Sequence, residues 1–368
     1  MKTRLLLIVV MLVSGLPLSV DAQQSTARPF EEAEKMFHQD PRWLGADGAH
    51  STPLDENRIF WTFADTFIAT SDAFDRRESE MVRNTVAIQR GRDPLTASMK
   101  FHWCQDADGS PVSFYPESGE SWYWPQASIR LDEGPLITFL SETVNTPGEG
   151  LGFRHIGYAM ALVENPDAPV ANWKPRIITQ EENGIGFSRL AALVRDEAHV
   201  VALALKGNQH QGALVRYRAI DLSVGNLDSP QWWSGADKGW VPAQELAPEG
   251  PEIIMDNAGS ESSIHRDVRT KTFIHITTYG FGAADISIRT AHELTGPWSE
   301  PFMIYRPPES DAARPFVYGA VAHPSLTGSH ENDLVITYST NSFDFFDLLT
   351  QTELYWPRVI EVSLEPTE

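Results

Sequence analysis

The chain has 368 residues, a formal net charge of −21 and a sequence pI of about 4.9. Nucleic acids and anionic membranes bind clustered Lys and Arg, so this acidic balance argues against both as partners. Cys104 is the only cysteine, which excludes an intramolecular disulfide and a cysteine metal cluster.

The first 22 residues, MKTRLLLIVVMLVSGLPLSVDA, are typical of a secretory signal peptide. A basic start precedes an apolar stretch, and Val20-Asp21-Ala22 supplies a small-residue cleavage site. Pro17 and Asp21 cut the apolar run below the ~20 residues that a transmembrane helix needs, which disfavours a membrane anchor. The sequence therefore predicts cleavage before Gln23 and a secreted or periplasmic protein.

The stretch WLGADGAHSTPLDENRIFWTFADTFI (43–68) has one aspartate before a turn-like DEN and another after an apolar run. If its flanks pair as a hairpin centred near Glu56, opposed residues have numbers that sum to about 112, as 47 and 65 do. Opposed Cβ atoms lie ~4.5–5.5 Å apart, where two carboxylates repel each other. A structural protein has little reason to keep such a pair, so Asp47 and Asp65 are candidates for chemistry. The competing interpretation is a turn role for Asp47 and a strand-capping role for Asp65.

Five stretches share one pattern: small and polar residues, a short strand, a turn rich in Asp, Asn or Gly, and a strongly apolar strand. They begin near residues 47, 125, 186, 259 and 319. An amphipathic strand and a Pro/Trp connection follow most copies, and no long helical pattern separates them. Short strands that repeat radially are typical of a β-propeller. We therefore predict an all-β fold, a single five-bladed β-propeller domain over residues 23–368 with a central polar channel.

Two further expectations follow from this fold. Residues 354–364 and the N-terminal segment near 36–44 are the natural candidates to close the ring of blades. A β-sandwich is the competing fold, but it explains neither the period of the repeat nor the recurring Trp.

The first strand of each repeat is rich in small and polar residues, as expected for strands that crowd around a propeller axis and line a solvated channel. Polar groups that converge there from different blades make a site. The candidate substrate-binding residues are His50, Trp122, Trp124, Arg154, His155, Arg189, His265, Tyr318 and His323. Taken singly, His155, His265 and His323 are better explained as hydrogen-bonded scaffold, and their spacing matches no compact metal motif. Trp122 and Trp124 lie in a Ser/Gly/Pro-rich stretch, and flat rings stack on sugar faces.

The runs WLGADGAHSTPL…IFWTFADTF, WYWPQAS, GFRHIGYAMALVENP, SESSIHRD, DISIRTAHELTGPWSEP and YGAVAHPSL…LVITYS…YWPRVIEV appear in this order along nearly the whole mature chain. They resemble the family known as domain of unknown function 4185, which includes bacterial endo-D-arabinanases. More distantly, they are similar to arabinanase, xylosidase and invertase propellers. The resemblance implies a five-bladed propeller whose paired acids fall on Asp47 and Asp65, with a further acid on Glu261. Two positions depart from the family pattern: Ala64 replaces the usual Gly, and Gln126 begins a QAS run where an acid often stands.

Paired carboxyl groups are the usual machinery for cutting glycosidic bonds, one as proton donor and one as nucleophile or base. Two close carboxylates push their pKa values apart, which the division of labour requires. We assign Asp47 and Asp65 jointly as the acid/base pair. Glu261 is the alternate acid.

The leading hypothesis is an exported glycoside hydrolase acting on a poly- or oligosaccharide, with arabinan-type furanosides favoured by the resemblance. The alternative is a non-catalytic carbohydrate-binding or interaction propeller. A metal-dependent lyase or phosphoesterase is a third class, disfavoured because no His/Asp cluster has ligand spacing. The expected partner is a carbohydrate, with no nucleic acid and no membrane, and the protein is expected to be a monomer. No cofactor is required and no metal ligands are assigned, although a channel-bound cation such as calcium stays an alternative.

Overall fold

The computed structural model describes residues 26–149, 151–180, 185–206, 210–280 and 284–364. The predicted signal peptide lies outside these residues. Strands account for 49% of the structure and helices for 10%, which confirms the mostly β class. The described α-helices are Glu31–Glu34, Ala219–Ser223 and Phe345–Thr350, and the described 3-10 helices are Lys35–His38, Arg76–Glu78, Val170–Asn172, Ala243–Glu245 and Pro308–Asp311. None of the helices in the described part of the chain is long and apolar enough to cross a membrane.

Five antiparallel sheets follow one another along the chain and are numbered here in that order. Sheet 1 contains His50–Pro53, Arg58–Phe63, Thr85–Arg90 and Ser98–His102. Sheet 2 contains Ser121–Arg130, Leu136–Asn145, Phe153–Val163 and Arg176–Thr179. Sheet 3 contains Phe187–Asp196, His199–Lys206, Gln211–Arg218, Gln231–Trp233, Trp240–Pro242 and Ile253–Met255. Sheet 4 contains Ser262–Arg266, Phe273–Tyr279, Asp285–Ala291 and Phe302–Tyr305. Sheet 5 contains Pro315–Ala322, Asp333–Ser342, Arg358–Ser363 and Thr26–Pro29.

Sheet 5 is built from both ends of the described chain. Thr26–Pro29 pairs antiparallel with Arg358–Ser363. The segment near 36–44, which we expected to close the ring, has a different place, because its apolar side chains fill a core. Phe37 and Trp43 are fully buried there, with ring centroids 6.5 Å apart. The remaining described strands form two small sheets, Trp43–Ala46 with Thr66–Ala69 and Ser79–Val82, and Cys104–Gln105 with Pro111–Val112.

Apolar clusters join the sheets in chain order and also join the fifth to the first. Phe60 of sheet 1 and Leu140 of sheet 2 share one cluster, for example, and Val335 of sheet 5 packs with Trp61 of sheet 1 in another. Separate clusters lie between sheets 2 and 3, 3 and 4, and 4 and 5. Each large apolar side chain buried in this way contributes ~1.5–3 kcal/mol. This packing sets the first strands of consecutive sheets against one another, so that their polar side chains converge.

Candidate active site

A cavity of about 770 Å³ lies where the starts of the first strands meet, and all five sheets or their adjoining loops contribute to its wall. It is lined by Asp47, Ala64, Asp65, Arg83, Trp122, Trp124, Gln126, Asn145, Leu151, Gly152, Phe153, Arg154, His155, Arg189, His210, Asn257, Gly259, Ser260, Glu261, Thr278, Gly280, Phe316, Tyr318, Asn341 and Tyr355. The three acids singled out in the sequence are therefore in one cavity.

The sheet 1 hairpin has the register that the sequence arithmetic uses, although Asp47 and Asp65 themselves lie outside its paired strands. His50 pairs with Thr62, and beyond the aspartates Ala46 pairs with Thr66, so the same register holds on both sides of them. Between these pairs, the backbone N–H of Ala64 donates to the carbonyl oxygen of Asp47 at 2.9 Å, which is one residue out of that register. Both aspartates line the cavity, and the charge of Asp65 raises the pKa of Asp47.

Asp65 has a cation and an N–H donor beside it. The indole Nε1 of Trp124 donates to Asp65 Oδ1 at 2.8 Å, and an Arg83 guanidinium nitrogen lies 3.3 Å from Oδ2. The Arg83 guanidinium also lies over the Trp122 ring, 4.4 Å from its centroid. Burial raises the pKa of the Asp65 carboxyl, whereas Arg83 and Trp124 act to lower it. Of the three acids, Asp65 has the partners that best support a carboxylate.

Asp47 is surrounded by acids and phenols. The Tyr318 hydroxyl donates to Asp47 Oδ2, and Tyr318 in turn accepts a bond from Asn341 Nδ2 at 3.2 Å. Asp47 Oδ1 is buried and has no hydrogen-bond partner among the described residues. Burial, then the charges of Asp65 and Glu261, raise the pKa of Asp47 well above its ordinary value, while the hydroxyls of Tyr318 and Tyr355 oppose the shift.

Glu261 reaches the same cavity from the loop before the first strand of sheet 4. Its Oε2 would lie only 2.1 Å from a Cβ placed on Gly319, and its Oε1 would lie 3.7 Å from one placed on Gly48. Both glycines have a φ of +64°, where a side chain is strained, but only at Gly319 would a Cβ collide with Glu261; the 3.7 Å at Gly48 is ordinary contact. Burial raises the pKa of Glu261 to about 7, although the Arg189 charge lowers it. The missing side chain at Gly319 therefore makes room for this carboxyl group.

A model of the domain of unknown function named DUF5005 matches residues 31–364, nearly the whole described chain. The chain belongs to the DUF5005 family. This match does not confirm the more specific resemblance to domain of unknown function 4185. None of the curated proteins matches this DUF5005 sequence at a significant level.

Solved structures show which fold this DUF5005 protein has. A presumed hydrolase from Bacteroides ovatus ATCC 8483 is similar, with a TM-score of 0.72 and 17% identity over 94% of this chain and 93% of that chain. An endo-arabinase from Bacteroides thetaiotaomicron VPI-5482 is more distant, with a TM-score of 0.46 and 13% identity over 88% and 96% of the two chains. The catalytic domain of a Coprinopsis cinerea GH62 alpha-L-arabinofuranosidase gives 0.48 and 11% over 88% and 92%. The first similarity establishes a shared fold, whereas the other two are too loose to support an argument.

Most of the candidate substrate-binding residues line the cavity of the DUF5005 protein. These are Trp122, Trp124, Arg154, His155, Arg189 and Tyr318. Trp124 and Tyr318 use their polar groups to hold Asp65 and Asp47, so they position acids as well as lining the wall. His155 Nδ1 lies 2.7 Å from Ser141 Oγ, and burial together with Arg189 lowers the pKa of His155 to about 3. His155 is therefore a neutral imidazole at neutral pH.

His50, His265 and His323 are not among the residues that line the cavity, so their contact with substrate stays a prediction. A strand advances ~3.3 Å per residue, and these histidines lie farther along or beyond the inner strands than the cavity residues. His323 bonds to Ser51 Oγ and Thr337 Oγ1, both at 2.7 Å. Burial lowers the pKa of each of the three, to about 4 for His50 and His265 and about 3 for His323. Of the three, His323 fits the hydrogen-bonded scaffold interpretation, whereas His50 Nε2 and His265 Nδ1 are buried and have no hydrogen-bond partner among the described residues.

Several lining residues were not predicted from the sequence, notably Arg83, Asn145, His210, Asn341 and Tyr355. One signal could have found two of them. Asn145 ends the second strand of sheet 2, and Asn341 lies next to the end of the second strand of sheet 5. The end of a second strand lies at the same sheet edge as the start of the first, because the two strands are antiparallel. Arg83 lies in a connection outside the repeat, so no pattern indicated it.

Gln126, one of the two departures from the family pattern, lies in this wall. The pairing of the first two strands of sheet 2 shifts register between Pro125 and Ser128. Gln126 is buried, and its amide Oε1 has no hydrogen-bond partner among the described residues. An amide here adds no fourth negative charge to the cavity. In the described ranges no group of three or more His, Cys, Asp or Glu side chains is placed to hold a metal ion.

Proposed function

We propose that the protein is a glycoside hydrolase that uses a carboxyl pair within this cavity. The observation that carries the proposal is the convergence of Asp47, Asp65 and Glu261, all with raised pKa values, in one cavity with aromatic side chains in its wall. Burying acids beside one another is unfavourable for folding, and such perturbed groups cluster at catalytic sites. The structurally similar Bacteroides ovatus protein is itself described as a presumed hydrolase.

Glu261 is the proton donor in this proposal, which takes up the alternate-acid assignment. A pKa of about 7 leaves a large fraction of the group protonated at neutral pH. Once Glu261 is protonated, Asp47 loses one of its two repulsive neighbours and ionises more readily. Asp47 then acts on the anomeric carbon, directly or through water, while the Tyr318 hydroxyl stabilises its charge. Asp65, held by Arg83 and Trp124, keeps a negative charge beside the pair and tunes its pKa values.

The finer parts of the proposal concern architecture, location and substrate. The five sheets are the blades of a propeller, and the cavity is the mouth of its central channel. The chain acts after export, since its first 22 residues have the signal-peptide pattern. An arabinan-type furanoside is the favoured substrate because of the sequence runs that resemble arabinan-cleaving propellers.

A non-catalytic carbohydrate-binding propeller is the second candidate. Gln126 favours it, because this cavity-lining amide stands where the resembling family often has an acid. A binding module would tolerate the loss of one carboxylate with a modest change of affinity, whereas an enzyme would lose its turnover.

The test is release of reducing sugar from arabinan, arabinogalactan and xylan by the purified mature chain. Asp47→Asn and Glu261→Gln are assayed beside it, with Asp55→Asn as a matched control on the same hairpin. Release that survives in the control and disappears in both folded cavity variants supports the hydrolase. If the wild-type protein binds a polymer but releases no sugar from it, the binding-module proposal replaces the hydrolase proposal. Circular dichroism of each variant checks folding.

A further inference from the structure

Three phenylalanines are exposed beside the cavity, on the segment that joins the second and third strands of sheet 5. Phe343, Phe345 and Phe346 are 58%, 54% and 64% exposed. Burying one such side chain contributes ~1.5–3 kcal/mol to stability. Each of these three exposed rings gives up most of that contribution, and all three lie within four consecutive residues. Exposed apolar groups that lie together, rather than scattered singly, mark contact sites.

The segment that carries these rings begins and ends at the cavity. Asn341, just before it, and Tyr355, just after it, both line the cavity wall. The Phe343 ring packs against Phe316, another lining residue, with ring centroids 4.5 Å apart and planes 30° from parallel. Aromatic contacts therefore lead from the cavity wall to Phe343, and through Phe67, which packs on the lining residue Tyr355, to Phe345.

Phe345 and Phe346 stand on an anchored helix, Phe345–Thr350, and Phe343 lies just before its N-cap residue. Asp344 caps this helix by accepting a bond from the Phe346 N–H at 3.0 Å. Asp347 is buried and pairs with Arg314, with 2.8 Å between nitrogen and oxygen. A surface that is fixed before binding loses less conformational entropy when a ligand arrives.

We propose that Phe343, Phe345 and Phe346, here called the aromatic rim, form a subsite for the distal sugar units of a neutral polysaccharide. This inference rests on the proposed function, since it assumes that the reacting unit of the same chain occupies the cavity. Flat rings pack against the C–H faces of sugars, and the continuity through Phe316 gives the chain a path out of the cavity. The net charge of −21 disfavours an anionic polymer.

The experiment compares the double variant Phe343→Ser/Phe346→Ser with Phe302→Ser. Phe302 is 42% exposed on the last strand of sheet 4. Phe302→Ser therefore removes a comparable exposed ring from a residue that does not line the cavity. Both are made in an Asp47→Asn background, so that the polymer is not cut. Affinity electrophoresis in gels that contain debranched arabinan, arabinogalactan or xylan gives the dissociation constant, and circular dichroism checks folding.

We expect at least one polymer to retard the parent and Phe302→Ser alike, and the rim variant to bind it at least 10-fold more weakly. Free L-arabinose should compete with the polymer for the cavity equally well in the rim variant and in Phe302→Ser. Equal retardation of the rim variant and the parent, or no retardation of the parent by any polymer, would overturn the subsite. So would rim-dependent partition onto phosphatidylcholine vesicles or rim-dependent dimerisation in place of polymer binding.

The subsite and the hydrolase can fail separately. Rim-dependent binding by a wild-type chain that releases no sugar keeps the subsite and rejects catalysis. If a chain with the rim and a chain without it release sugar from the polymer equally fast, the catalytic proposal stands and the subsite proposal is rejected.

Discussion

The two ends of the sheet 1 hairpin carry the same residue type with opposite electrostatics. At the turn, Asp55 pairs with the Arg58 guanidinium at 2.6 Å and accepts bonds from the backbone N–H groups of Asn57 and Arg58. Slight burial would raise its pKa, but these donors lower it to about 2. At the cavity end, burial raises the pKa values of Asp47 and Asp65.

The difference shows how one strand pair serves both folding and chemistry. Ionised Asp55 has better hydrogen-bond and ion-pair partners in the folded chain than in the unfolded chain, so it stabilises the folded state. Asp47 has an unpartnered oxygen and two acidic neighbours, so the fold works against its ionisation. Natural sites often carry such a cost to stability in exchange for activity. The predictions below change one end of this comparison at a time.

The largest effect is expected from removing the acids of the cavity. Asp47→Asn and Glu261→Gln should each lower kcat by ~10²–10⁴-fold, the range for loss of a general acid or base. In the wild-type chain, activity should fall as pH rises through about 7, because Glu261 then loses its proton. The measurement is a pH profile on whichever polymer is cleaved. A Glu261→Gln variant with the full rate and the same alkaline limb would contradict the assignment.

The next effect concerns the space that holds Glu261. Gly319→Ala should lower kcat/KM by ~10–100-fold, because its Cβ would stand 2.1 Å from Glu261 Oε2 and displace a group that must be placed closely. Gly119→Ala is the matched control, since Gly119 has nearly the same φ, +63°, and no atom within 4 Å of its Cβ. Both variants share the backbone strain, and only the first has the clash. Equal activity in the two would show that Glu261 does not depend on this gap.

The third effect is on stability, and its sign follows from the raised pKa. Glu261 has a pKa of about 7 in the folded chain and an ordinary value of 4.5, so the folded state holds its proton longer. Its contribution to stability is therefore complete below pH 4.5 and is lost as pH rises through 7. Glu261→Gln should remove this loss. The difference in the free energy of unfolding between the variant and wild type should therefore be ~1–3 kcal/mol more in favour of the variant at pH 8 than at pH 4. Urea unfolding of both chains at the two pH values measures it. A smaller difference at pH 8 than at pH 4 would reverse the argument.

The sequence predicted the parts of this molecule that follow from local pattern. The hairpin register required only a turn and residue numbers, and the structure has His50 opposite Thr62 as that register requires. The mostly β class followed from short alternating strands. The three acids could be selected because two lay on that hairpin and the third lay in a motif that resembles a known family.

Contacts between distant segments could not be predicted in this way. Arg83 beside Asp65 and Tyr355 beside Asp47 reach the cavity from connections outside the repeat, so no spacing indicates them. The positions of three histidines outside the cavity wall have a different reason. Composition marked the inner strands as polar, but it did not say how far along each strand the cavity extends, and His323 lies beyond it.

The smallest effect is expected at the turn. Asp55→Asn removes a charge that Arg58 and two backbone N–H groups stabilise, at an exposed site where such an interaction contributes ~0.5–1 kcal/mol. Because the pKa of Asp55 is lowered to about 2 from 3.8, its contribution is present above pH 3.8 and fades as pH falls toward 2. The variant should therefore be slightly less stable than wild type at pH 7, should approach it in acid, and should keep full activity. Urea midpoints at pH 7 and pH 3 measure the first two, and polymer cleavage measures the third. A loss of activity as large as that of Asp47→Asn would mean that the two ends of the hairpin are coupled, and the separation of folding from chemistry along this strand pair would not hold.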